Sequence, residues 1–458
     1  MHFNSTVTAI STPPGKGGVA LIRTSGPDAV AIVSRCFFPR SGKDFSATPS
    51  RTVVYGDIER DGERIDDGTA VIFRAPHSYT GEDTVEITCH GGVLVTRAVL
   101  ETLLLAGASP APAGEFTRRA FLSGKLTLTD AEAIGTLLDA KNYAQIRLCA
   151  SDARDRLSRR LSDVHDRLLT VVSEIYAKID FPDEDLAELS PRELTERLTA
   201  IAADLDNLLS TYKTGHAISE GIKTVIVGRP NVGKSSLYNL LCGDDYAIVT
   251  ELEGTTRDVL ERTATAGRVT LSLADTAGLR DTDDPVERIG VERARAHMQS
   301  AELILAVFDG SHPLTDDDAA MIAELKQTDI PTVILLNKSD LHLLPEVRAA
   351  FDAFTHVLSL SAKTKTADAL TALIEKLFID GDISVNDTAI LTSARQFAAL
   401  THARAALSDS LRAFASGLPA DVASSDLEIA LGALSELDGR AVSEEIVSGI
   451  FSKFCVGK

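Results

Sequence analysis

Gly228-Arg229-Pro230-Asn231-Val232-Gly233-Lys234-Ser235-Ser236 decides the reading of this chain. It fits G-x-x-x-x-G-K-[ST], the phosphate-binding loop of nucleoside triphosphatases. Thr224-Val225-Ile226-Val227 before it is a short β-branched run, the texture of a buried parallel strand. Ser236-Leu237-Tyr238-Asn239-Leu240-Leu241 after it reads as the start of a helix. In that strand–loop–helix order Gly228 and Gly233 let the backbone curl, so that successive N–H groups point at phosphate oxygens near the positive end of a helix. Lys234 is expected to reach the β- and γ-phosphates, and the Ser235 hydroxyl to ligate Mg²⁺.

Three further stretches narrow the nucleotide to GTP. Asp275-Thr276-Ala277-Gly278 follows the alternating run Val269-Thr270-Leu271-Ser272-Leu273 and so sits at a strand's end. An aspartate there holds Mg²⁺ through water, and the Gly278 N–H meets the γ-phosphate. Asn337-Lys338-Ser339-Asp340 follows another buried strand, Thr332-Val333-Ile334-Leu335-Leu336. Asp340 accepting from N1–H and the 2-amino group of guanine selects GTP over ATP, because adenine lacks those donors. Ser361-Ala362-Lys363 after Val357-Leu358-Ser359-Leu360 repeats the pattern and is expected to close over the base. Each motif alone is weak; in this order and spacing they predict a Ras-like P-loop GTPase domain.

One position departs from the Ras pattern. Leu279 stands where Ras-like enzymes carry the glutamine that orients the attacking water. Leucine cannot hydrogen-bond water, so the polar group must come from elsewhere. Arg280, Asp281, Asp283, Asp284, Glu287 and Arg288 follow. They are either a solvated acidic loop or, for Glu287, the holder of that water.

At 458 residues the chain is long enough for two or three domains. Its five cysteines, Cys36, Cys89, Cys149, Cys242 and Cys455, are scattered and lack C-x-x-C spacing, which points to a reduced, cytoplasmic setting. Cys89-His90 reads as a strand end, not a metal site. No apolar run reaches membrane-spanning length, and the N-terminus lacks a basic-then-apolar signal. A formal net charge of -20 argues against a broad nucleic-acid-coating surface while allowing a local basic pocket.

Taken in order, residues 1–118 read as a β-rich domain, with strand-like runs near residues 6–10, 19–23, 51–55, 69–73 and 84–88. Arg23 and Glu86 are charges within strand patterns, for which solvent-facing positions are the plainest account. Gly92 opens a helical run. Residues 119–215 are helical in texture: Leu157, Leu161, Val164, Leu168, Val171, Val172, Ile175 and Ile179 mark a long amphipathic helix. Ser190-Pro191-Arg192-Glu193 starts the next helix with an N-cap, a proline at N1 and a capping box. That helix is expected to end near Gly215. Residues 216–379 hold the GTPase domain, and 380–458 return to helices that need the first helical block as partner. The GTPase domain is thus expected as an insertion in a discontinuous helical domain. The tail, Phe454-Cys455-Val456-Gly457-Lys458, is apolar with a cysteine near its end, read either as core packing or as a placed thiol beside Lys458.

Over essentially its whole length the sequence resembles the MnmE (TrmE) family of tRNA modification GTPases. The stretches that carry the resemblance are Pro13 to Arg23, Thr80-Gly81-Glu82-Asp83, His90-Gly91-Gly92, Gly114 to Leu122, Gly228-Arg229-Pro230-Asn231, Gly254-Thr255-Thr256-Arg257-Asp258, Asp275 to Arg280 and Phe454 to Lys458. The resemblance implies a homodimer that works with a flavoprotein, MnmG, as a heterotetramer. Together they install an aminomethyl-type group (carboxymethylaminomethyl) at C5 of the wobble uridine of certain tRNAs; the net charge of -20 leaves open which of them grips tRNA, with the partner favoured to carry most of the affinity. It also implies a one-carbon unit from a reduced folate, 5-formyl- or methylene-tetrahydrofolate. The folate site then falls on Arg23, Glu86, Lys125 and Lys458, which revises the solvent reading of the first two, and Cys455 matches the family's tail cysteine as a catalytic position. In the GTPase domain the loop Thr250-Glu251-Leu252-Glu253-Gly254-Thr255-Thr256 lies beside the nucleotide, Thr256 joins Ser235 on Mg²⁺, and Glu287 holds the water. Asn231, Thr250, Leu252 and Thr255 match a K⁺ site, and K⁺ stands in for an arginine finger when GTPase domains dimerise. A pure molecular switch is the competing class; it needs neither a folate pocket nor a tail thiol.

Overall fold

The computed structural model describes residues 5–181, 190–242, 262–273, 298, 300–364, 367–381, 383, 387–418, 420–440, 443–452 and 454–457. By its internal contacts the chain divides into two units, Met1–Gly135 with Leu431–Lys458, and Thr136–Ala430.

In the first unit, period-two alternation builds a seven-stranded sheet. Its strands are β1 (Val7–Ile10), β2 (Val19–Ser25), β3 (Phe37–Pro39), β4 (Val53–Arg60), β5 (Glu63–Phe73), β6 (Thr84–His90) and β7 (Ser109–Pro110), in the order β3-β4-β5-β6-β2-β1-β7. Neighbours are antiparallel except β1 and β7. One face carries Ile22, Ile72, Val85 and Ile87, which pack on Val33 of α1 (Ala29–Val33) and on Val99 and Leu103 of α2 (Val93–Leu105). Each such side chain fully removed from water contributes about 1.5–3 kcal/mol. On the other face Val7 and Ala9 pack with Ala111, Tyr79 and Phe116, the last on α3 (Glu115–Leu122). Arg119 of α3 is 1% exposed and is held by Glu115 and Glu82, each at 2.9 Å, and by the Ser5 carbonyl at 3.0 Å.

The tail belongs to this unit. Val447 and Phe451 of the helix Glu444–Phe451, with Phe454, pack on Leu128 and Ala131 of α4 (Leu128–Leu138). Val456 then bridges Ala113, and Ser11 Oγ donates to the Gly457 carbonyl at 2.9 Å. Gly457 sits at φ +96°, where a Cβ would lie 2.1 Å from the Ile10 carbonyl oxygen.

The second unit opens with α5 (Tyr143–Leu148), α6 (Ser151–Asp180), α7 (Pro191–Ser210) and α8 (Tyr212–Ser219). The start of α7 is as the sequence predicts: Ser190 Oγ accepts from the Glu193 N–H, and Glu193 reaches back to the Ser190 N–H at 3.0 Å. Its end is not. The chain turns at Thr211 and runs helically to Ser219, so Gly215 lies inside α8. A Cβ there would stand 1.8 Å from the Leu391 carbonyl oxygen, so this glycine serves close packing, not helix termination.

The sheet of this unit has the order β13-β12-β11-β8-β10-β9. Its strands are β8 (Ile222–Val227), β9 (Arg262–Ala266), β10 (Val269–Leu273), β11 (Leu303–Asp309), β12 (Thr332–Asn337) and β13 (Val357–Ser359), parallel except for the β9–β10 hairpin. Helices α9 (Lys234–Cys242), α10 (Asp316–Leu325), α11 (Pro345–Ala349) and α12 (Asp368–Phe378) cover both faces, leaving β11 wholly buried. After the sheet, α13 (Ala394–Ala415) returns to α7, where Arg404 Nε meets Asp206 at 2.8 Å, and α14 (Ala420–Asp438) follows. The unpartnered stripes of the first helices thus find their cover in residues that follow the sheet. Among the described residues no helix is long and apolar enough to cross a membrane.

Candidate functional site

Parallel strands bring the carboxyl ends of β8, β11, β12 and β13 to one edge, where open α/β sheets bind ligands. The loop after β8 is shaped by two glycines. A Cβ at Gly228 would lie 2.4 Å from the Val307 carbonyl oxygen, and Gly233 (φ +101°) leaves no room for a Cβ beside the Asn337 amide. Asn231 also takes a positive φ, 62°, and is exposed. The loop ends where α9 begins, at Lys234, whose Nζ donates to the Arg229 carbonyl at 2.9 Å. Ser235 and Ser236 form the first turn of α9, with Ser236 exposed.

Asn337 joins three loops. Its Nδ2 donates to the Val232 carbonyl at 2.7 Å, and its Oδ1 accepts from the Ala362 N–H at 3.0 Å. The Ser339 N–H adds a bond to the Leu360 carbonyl at 3.1 Å. Lys338, at φ 63°, places Nζ 2.7 Å from Asp309 Oδ2. Burial pushes the Asp309 carboxyl up, but Lys338 and two bonds from Ser311 outweigh it and hold the group at about 2. Asp340 is exposed, and Ser361, buried, lowers its carboxyl although the contact falls outside good hydrogen-bond geometry; Lys363 is exposed beside them. A cavity of about 350 Å³ opens between Arg229, Asn231, Asp309, His312 and Lys338. Such an edge offers backbone N–H groups and an ammonium to phosphates, and a free carboxylate to a base.

Asp309 was not anticipated. The one signal is its place, an acid closing the apolar run Leu303–Asp309 before Gly310-Ser311. The expected residues Thr250 to Thr256, Asp275 to Gly278, Glu287 and the departure Leu279 lie outside the described residues, as does Lys458.

In the first unit, Arg23 and Glu86 are register partners on β2 and β6. They are 15% and 24% exposed and paired, Nε and Nη2 lying 2.9 and 2.8 Å from Glu86 Oε1. The solvent-facing account of these charges does not hold. The guanidinium lies 5.2 Å from the Tyr79 ring and 5.4 Å from that of Phe116, and Tyr79 is tied by its hydroxyl to Thr117 at 3.0 Å. Lys125 is exposed, its Cγ close to Gly81. Cys455 is exposed on the tail segment whose carbonyl accepts from the Gly114 N–H at 3.4 Å. Cys36, Cys89 and Cys149 are buried, and burial pushes each thiol up to about 11. Cys89-His90 closes β6, and His90 pairs with Asp66 at 2.7 Å.

Family models match twice: the GTP-binding protein TrmE N-terminus over residues 6–125, and the MnmE helical domain over residues 128–455. A tRNA modification GTPase MnmE of Lactobacillus delbrueckii subsp. bulgaricus is 40% identical over 99% of this chain and 98% of its own length. That of Moorella thermoacetica is 39% identical over 100% of both chains. Among solved structures, Aquifex aeolicus Era bound to GDP.AlF4- aligns with 25% identity and a TM-score of 0.28, over 40% of this chain and 66% of that one. The assignment rests on the family models and the full-length relatives: the chain belongs to the MnmE (TrmE) family of tRNA modification GTPases.

Proposed function

We propose that this chain hydrolyses GTP to drive modification of C5 of the wobble uridine in certain tRNAs, as a homodimer working with the flavoprotein MnmG. In this reading residues 1–118 form the folate-binding and dimerisation domain, 119–215 and 380–458 the helical domain, and 216–379 the GTPase domain. The loop Asn231 to Ser236 cradles the phosphates, Lys234 neutralises them, and Asp340, with Ser361, Ala362 and Lys363, takes the guanine. Ser235 and Thr256 would hold Mg²⁺, and Asn231, Thr250, Leu252 and Thr255 would hold K⁺. Asn231 is exposed and lines the cavity, and its amide carries an oxygen of the hard kind that such a cation takes. When bound, the two ions add positive charge at the phosphates as the bond to the γ-phosphoryl group breaks. Glu287 orients the attacking water, which Leu279 cannot do.

The observation that carries the tRNA-modifying half is the Arg23–Glu86 pair, since a pure switch has no use for it. Both contacts fall on Glu86 Oε1, which leaves Oε2 for the amide-like donors of a pterin, while Arg23, Lys125 and Lys458 suit folate carboxylates. Cys455 is the exposed thiol of the same unit. The test is binding of 5-formyltetrahydrofolate to the full chain. Wild type is expected to bind, and Arg23→Ala and Glu86→Ala to lose binding while retaining GTP turnover. Absence of folate binding by the wild type would return the chain to the switch class.

A further inference from the structure

β11 is apolar from Leu303 to Phe308 and ends in an acid, Asp309, which is 7% exposed. Its two oxygens have separate partners. Oδ1 accepts from the Ser311 N–H at 3.0 Å and from the Ser311 hydroxyl at 2.6 Å, which completes a turn by itself. Oδ2 accepts from Lys338 Nζ at 2.7 Å, with His312 Nδ1 at 3.4 Å. This ion pair is not needed to hold the strands together. The parallel ladder of β11 and β12 already runs to Asp309 and Asn337, and the Gly310 N–H adds a bond to the Asn337 carbonyl at 3.0 Å. Nor is such a pair by itself a gain in stability, since the cost of taking two charges from water can match their attraction. What the pair does fix is the course of one side chain.

Lys338 is held at both ends. At the backbone it stands at φ 63°, a left-handed setting uncommon for a long side chain. Its neighbours keep it there: Asn337 bonds Val232 and Ala362, and the Ser339 N–H bonds the Leu360 carbonyl. At the far end Asp309 takes the ammonium. Between the two runs a stem of four methylene groups, and the side chain stays 33% exposed where it lines the cavity with Arg229, Asn231 and Asp309. A stem pinned in this way is an apolar wall, the part of a lysine that packs when its charge is engaged elsewhere. Two residues on stands Asp340, exposed, the carboxylate read above as the acceptor for guanine. We propose that Asp309 is a positioning residue for guanine nucleotides, holding the Lys338 ammonium so that the lysine stem is in place as a wall for the face of the purine ring. An unpinned lysine would have to be ordered by each incoming nucleotide, and that lost freedom would be taken from affinity. The inference rests on the reading that Asp340 takes the base.

The test uses the full chain and reads KM and kcat for GTP and the dissociation rate of a fluorescent GDP analogue, with thermal unfolding as the check on folding. Asp309→Asn keeps an acceptor for Ser311 but turns an NH₂ toward Lys338; Asp309→Ala removes both contacts. Each is expected to raise KM and the dissociation rate by about three- to tenfold, the range for one long side chain that must be ordered on binding. Turnover at saturating GTP should stay within about twofold, the pattern of binding lost equally from ground and transition states. In a Lys338→Met background, adding Asp309→Ala should cost nothing further, because no ammonium is left to hold. A pair that merely fastened the edge would lower the unfolding midpoint and leave the KM of the folded protein alone. Wild-type KM and dissociation rate in Asp309→Asn therefore overturn the inference, whether or not Asp309→Ala folds, and so does a fall in kcat at unchanged KM. A double variant that loses as much as the two single variants together also overturns it, since Asp309 would then act without Lys338. Asp340→Asn is the reference. If it leaves affinity for GTP unchanged, the reading of the base site fails and the inference with it; if it weakens GTP while the Asp309 variants do not, the inference alone fails.

Discussion

Asn337 shows how much one side chain does at the carboxyl edge of the sheet. It satisfies the Val232 carbonyl and the Ala362 N–H, so the loop after β8 and the loop after β13 are braced against one buried amide. Truncating it leaves two buried backbone groups unpaired, at about 1–3 kcal/mol each. Three residues on, Asp340 is exposed, its carboxyl lowered by its surroundings, Ser361 first among them. Asp340→Asn is expected to move preference from guanine toward xanthine nucleotides, because the amide NH₂ meets a carbonyl where the carboxylate accepted a donor. Competition binding of GTP and xanthosine triphosphate reads this directly, and an unchanged affinity for GTP would remove Asp340 from base recognition.

Among elements, α8 is the most informative. Gly215→Ala puts a methyl group where the Leu391 backbone stands, so overpacking is expected to cost at least about 1–3 kcal/mol and to lower the midpoint of thermal unfolding. The His216 cluster adds a pH dependence. Bonds to Glu220 and Glu302 raise the imidazole from 6.5 to about 9 against its burial. A group raised on folding stabilises fully below its unfolded value, so this contribution is complete below about pH 6.5 and fades as pH climbs toward 9. Denaturant titrations across that range should show wild type losing stability with rising pH and His216→Gln losing less. The same helix marks where the sequence stops being legible. The capping box at Ser190 and the loop Gly228–Ser236 are local, their demands met within a few residues, and both can be read from letters alone. Gly215 looks like a terminator because its reason, the Leu391 carbonyl, arrives from a distant part of the chain. Asp309 is hidden for a related cause: its bonds to Ser311 are local, but Lys338 reaches it only once the parallel strands have come together. The short strands β3 and β7 carry too few residues to show a period.

At the scale of the whole molecule, charge supplies a prediction. The net charge of -20 disfavours a broad nucleic-acid-coating surface, and on the proposed reading, with leucine at position 279, K⁺ from solution supplies charge for hydrolysis. Turnover in matched K⁺ and Na⁺ buffers is expected to favour K⁺ strongly, approaching the ~10³–10⁵ of an arginine finger. Asn231→Ala should erase most of the difference. Equal rates in the two salts would exclude the cation. The stapled tail has a consequence for manufacture. Because Val456 and Gly457 close on Ala113, Ser11 and Ile10, the first unit lacks part of itself until Leu431–Gly457 has left the ribosome. Everything from Thr136 to Ala430, the nucleotide fold included, is synthesised in the interval. Completion of the first unit therefore reports that the nucleotide fold has already been made.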